Sequence, residues 1–484
     1  MKKLEKYDKT NPLSIEKYGQ ELVGKTFRDI IELDKVSKAI EASEADIGHE
    51  AIDLNDKRTQ ENRDNKGNLG QIIEEKHFHY LCNNDSRPDF HEAGVELKVT
   101  PYKINSKGKK VAKERLILTM IDYFSVVNEE FKDSHLWNKS KLILLVYYLY
   151  LKEIQYRIDY KIDYVKLFTP PEQDIKIIKH DYKVIVRKNK KKENAHELSE
   201  GDTLYLGAAT KAASSADRRK QPFSEELAKP RAFSFKSSYM TYVLNNYIIP
   251  GKNTYEPIIK QDIAQDFEEY VEEKIGAYQG CNVDNLCKEF QIVREKRPKN
   301  LEAMLAYRML GIKGNHAEEF EKANIVVKTI RIGRNNKIKE SMSFPTFKFT
   351  ELVKENWETS TFGNYLEQTR FLFVIYKYNK NNELVLKGCQ FWNMPYEDLQ
   401  IEVRSVWERT VKVIREGIQI IEKNGKRTNN LPNASDNRVC HVRPHGQNAS
   451  DTYPLPDGKE YTKQCFWLNN SYILSQIDKK FLED

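Results

Sequence analysis

Four segments of the chain recur in the same order at offsets of 229 to 233 residues, which constrains the fold more than any composition figure. Residues 68–74 (NLGQIIE) align with 300–306 (NLEAMLA), and 90–100 (FHEAGVELKVT) with 320–330 (FEKANIVVKTI). Residues 141–147 (KLILLVY) align with 370–376 (RFLFVIY), and 232–235 (AFSF) with 465–468 (CFWL). Chance does not readily keep four blocks in order at nearly constant spacing. The chain therefore reads as two tandem copies of one fold, and 484 residues is ample for two large domains at ~150 residues or more each.

Within a copy the pattern is mixed α/β. Leu69, Ile72, Ile73 and Leu81 follow helical spacing after Asn68, a candidate N-cap. Val95, Leu97 and Val99 alternate with Glu96, Lys98 and Thr100, the period of a strand. Residues 142–151 read as a buried central strand and 203–206 as another, while the basic run 187–192 reads as a solvated hairpin tip between strand-like segments. A Pro/Gly-bearing link at 249–253, followed by a helix-favouring stretch at 262–275, marks a boundary. The expected division is 1–248, a connection at 249–299, and 300–484.

Composition excludes several classes. The longest apolar run has ten residues, three of them tyrosine, far short of the ~20 needed to cross a bilayer, and the N-terminus lacks an apolar signal core. A soluble, cytoplasmic protein without a membrane partner is expected. Six cysteines form no CxxC pair, which argues against a disulfide framework. A net charge of +7 suits a polyanionic partner without proving one.

The strongest chemical signal is residues 88–98 (PDFHEAGVELK). On a strand, Glu96 and Lys98 share one face about 7 Å apart, and Gly94 permits a tight turn that folds Asp89 back beside them. Converging carboxylate oxygens suit Mg²⁺, and a lysine beside such a cation can orient or deprotonate a water. This is the PD…(D/E)xK pattern of metal-dependent nucleases. Glu74, on the polar side of the preceding helix, could add a third carboxylate, and Lys139, just before the central strand, could reach a phosphate. The plain alternative is a set of solvated surface charges, which a chain rich in lysine and glutamate produces easily.

Residues 70–74 (GQIIE), Asp89 and residues 93–101 (AGVELKVTP) resemble the signature of the MutH-type endonucleases, a family that includes type II restriction enzymes cutting GATC. The match spans both halves, which favours the restriction enzymes over the single-copy repair nuclease. The resemblance implies two restriction-endonuclease-like domains, the second degenerate, with Glu74, Asp89, Glu96, Lys98 and Lys139 catalytic and Asp89, Glu96 and Glu74 holding Mg²⁺. It also implies DNA contacts by Thr210, Lys211 and Arg231, and by Arg443 and His445 in a loop of the second copy. That copy has Ala306, Glu319, Val326 and Gln368 where the first has Glu74, Asp89, Glu96 and Lys139, while Lys328 stands in the place of Lys98. It should be catalytically silent yet able to bind. The expected partners are double-stranded DNA containing GATC, a second chain met on that DNA by a free monomer, and a cognate DNA methyltransferase in the host. The rival readings are a strand-nicking repair endonuclease and a non-catalytic DNA-binding regulator.

Overall fold

The run Ile143–Leu149 is buried along all but its last residue, and such a strand must be covered on both faces. It forms the middle of the first of two compact units in a computed structural model of the chain. These units comprise Met1–Leu198 with Asp202–Thr254, and Ser199–Gly201 with Tyr255–Asp484. The structure describes residues 6–44, 68–80, 87–190, 195, 198–211, 214, 216–251, 255–261, 263–292, 298, 300–423 and 426–483.

In the first unit the strands are β1 (Glu96–Ile104), β2 (Lys110–Ala112), β3 (Leu116–Met120), β4 (Ile143–Leu149), β5 (Ile162–Phe168), β6 (Leu206–Thr210), β7 (Arg219–Gln221), β8 (Ser224–Ala228) and β9 (Arg231–Phe235). They form a mixed sheet ordered β2-β1-β4-β5, a second sheet β3-β9-β6, and the hairpin β7-β8. β1 and β4 run parallel, and the chain between them supplies the crossover that parallel neighbours require.

The second unit contributes β10 (Ile325–Ile332), β11 (Met342–Phe347), β12 (Arg370–Tyr378), β13 (Leu384–Trp392), β14 (Ile420–Lys423), β15 (Lys426–Asn429), β16 (Cys440–Pro444), β17 (Thr452–Pro454), β18 (Glu460–Thr462) and β19 (Gln464–Leu468). It rebuilds the same plan as β10-β12-β13 and β11-β19-β16, with β10 and β12 again parallel and β13 antiparallel. The direction of pairing repeats, with the register shifted by one residue relative to the sequence alignment of the two copies. Glu96 lies opposite Ile143 and Lys98 opposite Leu145, while Val326 lies opposite Phe371 and Lys328 opposite Phe373. The mixed α/β, two-copy expectation is met. Each unit has its own apolar core, around Leu144, Val146 and Phe78 in the first and Phe371, Phe373 and Trp392 in the second.

Several local expectations are corrected. The basic run is no hairpin tip: its described part ends the helix Glu172–Lys190, whose buried Ile177, Ile178, Tyr182, Ile185 and Val186 follow helical spacing beneath the charges. Residues 191–192 lie outside the described residues. The strand expected from Thr203 begins only at Leu206, because the Asp181 carboxylate accepts the N–H groups of Leu204, Tyr205 and Leu206 at 2.8, 2.7 and 2.9 Å. The helix from Asn68 widens after Ile72 into a π-type turn over Ile73–His77. Leu81 and the Asn68 side chain lie outside the described residues, as do residues 252–253 of the expected link. Its described part holds helices Phe267–Gly276 and Val283–Glu289, which belong to the second unit. No helix among the described residues is long and apolar enough to cross a membrane.

Candidate active site

Gly94, at φ +67°, closes a tight turn in which Phe90 and Val95 exchange backbone hydrogen bonds of 2.9 and 3.2 Å. A side chain would strain that φ, so glycine is required there. The turn lays Asp89 alongside the start of β1, where its Oδ2 accepts the Leu97 N–H at 2.8 Å. Glu96 and Lys98 follow on one face of the strand. The Lys98 ammonium donates to Glu96 Oε1 at 2.7 Å. Lys139, on the helix His135–Ser140 capped by Ser134, brings its Nζ to 3.4 Å from both Glu96 oxygens.

Glu96 is 2% exposed, and its Oε2 has no hydrogen-bond partner. Burial, then the charge of Glu96, pushes the Asp89 carboxyl up to about 6; Glu74 adds to this more weakly, while the Leu97 N–H and Lys98 oppose it. The donor set thus fits a divalent cation. Glu96 has a buried oxygen that accepts no hydrogen bond, and Asp89 is disfavoured as an anion by its burial and by the charge of Glu96. No group of three or more His, Cys, Asp or Glu stands ready to hold a metal among the described residues. Glu74, half-buried on the π-type turn, lies within electrostatic reach of Asp89.

Sequence reasoning missed what holds that turn. Asp34, 4% exposed, sits on the same helical stripe as Phe27, Ile30 and Ile31, and an acid on an apolar stripe is the signal that could have revealed it. It receives Lys38 at 2.9 Å and has Lys76 and His79 at 3.7 Å. His77 stacks on Tyr18 at 4.3 Å, its Nε2 lying 3.0 Å from the Tyr18 carbonyl. Desolvation holds its imidazole at about 4, below the usual 6.5. A histidine kept neutral by folding weakens the fold once the unfolded chain can take up a proton, so this loss sets in below pH 6.5 and grows until about pH 4. We expect His77 alone to make the chain roughly 2 kcal/mol less stable at pH 5 than at pH 7. His77→Gln should remove most of that difference in urea unfolding; an unchanged pH slope would rule the cause out.

The proposed DNA-contact residues fall into two groups. Thr210 and Lys211 are exposed at the end of β6. Arg231 is 3% exposed, its guanidinium donating to the carbonyls of Ala208 and Leu198, so here it ties two backbone segments together and offers DNA no free surface. In the second unit Arg443 is exposed with its guanidinium 4.8 Å from the centre of the Trp467 ring, and His445 meets the same ring edge-on at 5.2 Å. Trp467 escaped the sequence reading. In the second unit Glu319 accepts the N–H groups of Ile258 and Ile259 at 2.9 Å each, and Val326 offers no donor atom.

The family model of the DNA mismatch repair enzyme MutH matches residues 78–181 and 310–402, once in each half. The first match spans Asp89, Glu96, Lys98 and Lys139, and the second spans their counterparts. The type II restriction enzyme Sau3AI of Staphylococcus aureus is 37% identical over 478 residues, covering 89% of this chain and 96% of that enzyme. Likeness of that extent, on a fold built twice, makes the chain a member of the MutH-like type II restriction endonucleases.

Proposed function

We propose that this restriction endonuclease makes double-strand cuts in DNA at GATC by Mg²⁺-dependent hydrolysis. The chemistry belongs to residues 1–248, joined by residues 249–299 to a silent, DNA-binding copy at 300–484. The observation that carries this reading is the buried Glu96 carboxylate beside Asp89, its Oε2 accepting no hydrogen bond, with Lys98 and Lys139 against it. Asp89 and Glu96 would hold the cation, assisted by Glu74 directly or through water. When bound, Mg²⁺ supplies charge neutralisation to the phosphate and makes a nearby water more acidic. Lys98, fixed by Glu96, aligns the attacking water through its ammonium. Lys139 steadies the phosphate oxygens as charge builds on them. Thr210, Lys211, Arg443 and His445 supply DNA contacts from exposed positions.

The enzyme would act in the cytoplasm beside a cognate DNA methyltransferase that protects host sites. A palindrome needs two attacks on opposite strands, and each chain has one competent centre, so a free monomer should assemble to a dimer on DNA. Unmethylated plasmid incubated with protein and Mg²⁺ should give double-strand fragments ending at GATC, and none in EDTA. Nicked circles alone, or intact plasmid, would overturn the reading. Plasmids bearing two GATC sites should be cut faster than those bearing one, and Arg443→Ala should erase that difference; equal rates on both substrates would deny the second copy an effector role.

A further inference from the structure

The silent centre retains one half of the charge pattern. In the first unit Asp89 and Glu96, with Glu74 near them, face Lys98 and Lys139. In the second, Ala306, Val326 and Gln368 carry no charge and Glu319 is occupied by two backbone N–H groups. Lys328 remains at the sequence position of Lys98, on the strand β10 that pairs with β12 as β1 pairs with β4. Among the described residues it has no carboxylate partner: its ammonium reaches the Ser343 carbonyl at 3.5 Å and lies 5.7 Å from the Phe344 ring centre. Lys328 lines a cavity of about 830 Å³ together with Arg331, Lys337, Lys339, Glu340 and Tyr378. Arg331 is neutralised by Glu302 at 2.9 Å, so Lys328, Lys337 and Lys339 stand against Glu340 alone. Positive charge therefore exceeds negative charge along this cavity, which borders the Lys98 counterpart.

We infer that this cavity is an anion site that takes a DNA phosphodiester directly, without a metal ion. The inference rests on the reading that the second unit binds DNA, and it names the place on that unit where the backbone is held. In the first unit an acidic centre repels the phosphate until a cation enters. In the second, the lysine that once faced that cation meets the phosphate itself. Desolvation lowers the pKa of Lys328, and an arriving anion relieves that penalty.

The test uses the full chain in EDTA with a short GATC duplex, reading reductive methylation of each lysine by mass spectrometry. Lys328 should be modified in the free protein and at least ~5-fold less in the complex. In parallel, Lys328→Ala should lower the slope of log affinity against log salt by about 1, the release of one counterion per phosphate contact, and Lys328→Arg should restore it. Equal labelling of Lys328 in the free and bound protein, with an unchanged salt slope, overturns the inference. If Arg443→Ala then still weakens binding, the broader reading of the second unit survives; if neither variant alters binding in EDTA, both fall. Protection by inorganic phosphate but not by duplex would overturn the assignment to DNA.

Discussion

Glu96→Ala should reduce DNA cleavage by at least ~10³-fold while leaving the duplex bound, with affinity equal to or tighter than that of the parent protein. Among the described residues Glu96 alone is a carboxylate in contact with both Lys98 and Lys139, and its Oε2 accepts no hydrogen bond, so a neighbour is not expected to replace it. Several kcal/mol of transition-state stabilisation commonly depend on such a centre. Binding should survive because the change removes a negative charge from beside the phosphates and leaves two ammonium groups there. Single-turnover cleavage and gel-shift titration measure the two quantities separately. Cleavage within tenfold of the parent enzyme would refute the assignment. Lys98→Ala should be nearly as damaging to cleavage, because Lys139, 3.4 Å from Glu96, is poorly placed to align the same water.

The second large effect concerns stability. Asp181 is fully buried, accepts three backbone N–H groups, and lies in the field of Lys236, which is itself 5% exposed. Asp181→Ala strands those donors and takes a carboxylate out of the field of the buried Lys236 ammonium, which also donates to the Thr203 carbonyl. Such removals cost about 3–5 kcal/mol. Chemical denaturation should show a loss of that size, with Asp181→Asn recovering part of it. A loss under 1 kcal/mol would mean that β6 is held by its sheet neighbours alone. Because β6 carries Thr210 to the surface, DNA affinity should fall together with stability in this variant and not in Glu96→Ala.

What could be read from the sequence was local or repeated. A glycine before an alternating apolar run predicts the turn that lays Asp89 against β1, and the spacing of Glu96 and Lys98 places them on one face. The two-copy plan was legible because self-comparison needs no knowledge of contacts. The failures share another cause, long-range partners. Nothing near Thr203 announces that a carboxylate 22 residues upstream will hold the next three N–H groups and delay the strand. The helix Glu172–Lys190 was hidden because its charged face dominates the composition while its apolar stripe is spread over several turns. Arg231 looks like a DNA contact by residue type, yet two backbone carbonyls hold it inside. Asp34 and Trp467 matter through what they touch, and a linear pattern does not record touching.

Two renderings of one strand within a single polypeptide give the protein its own control for the price of catalysis. β1 carries a buried acid and β10 a valine at the corresponding place of two mixed sheets. On β1 the first half folds around a charge that opposes its neighbour, Glu96 helping to push the Asp89 carboxyl up, whereas Val326 puts no such charge on β10. Natural selection can therefore tune the endurance of one half and the reactivity of the other separately, a freedom that a single-copy nuclease, whose only core is also its workplace, does not have.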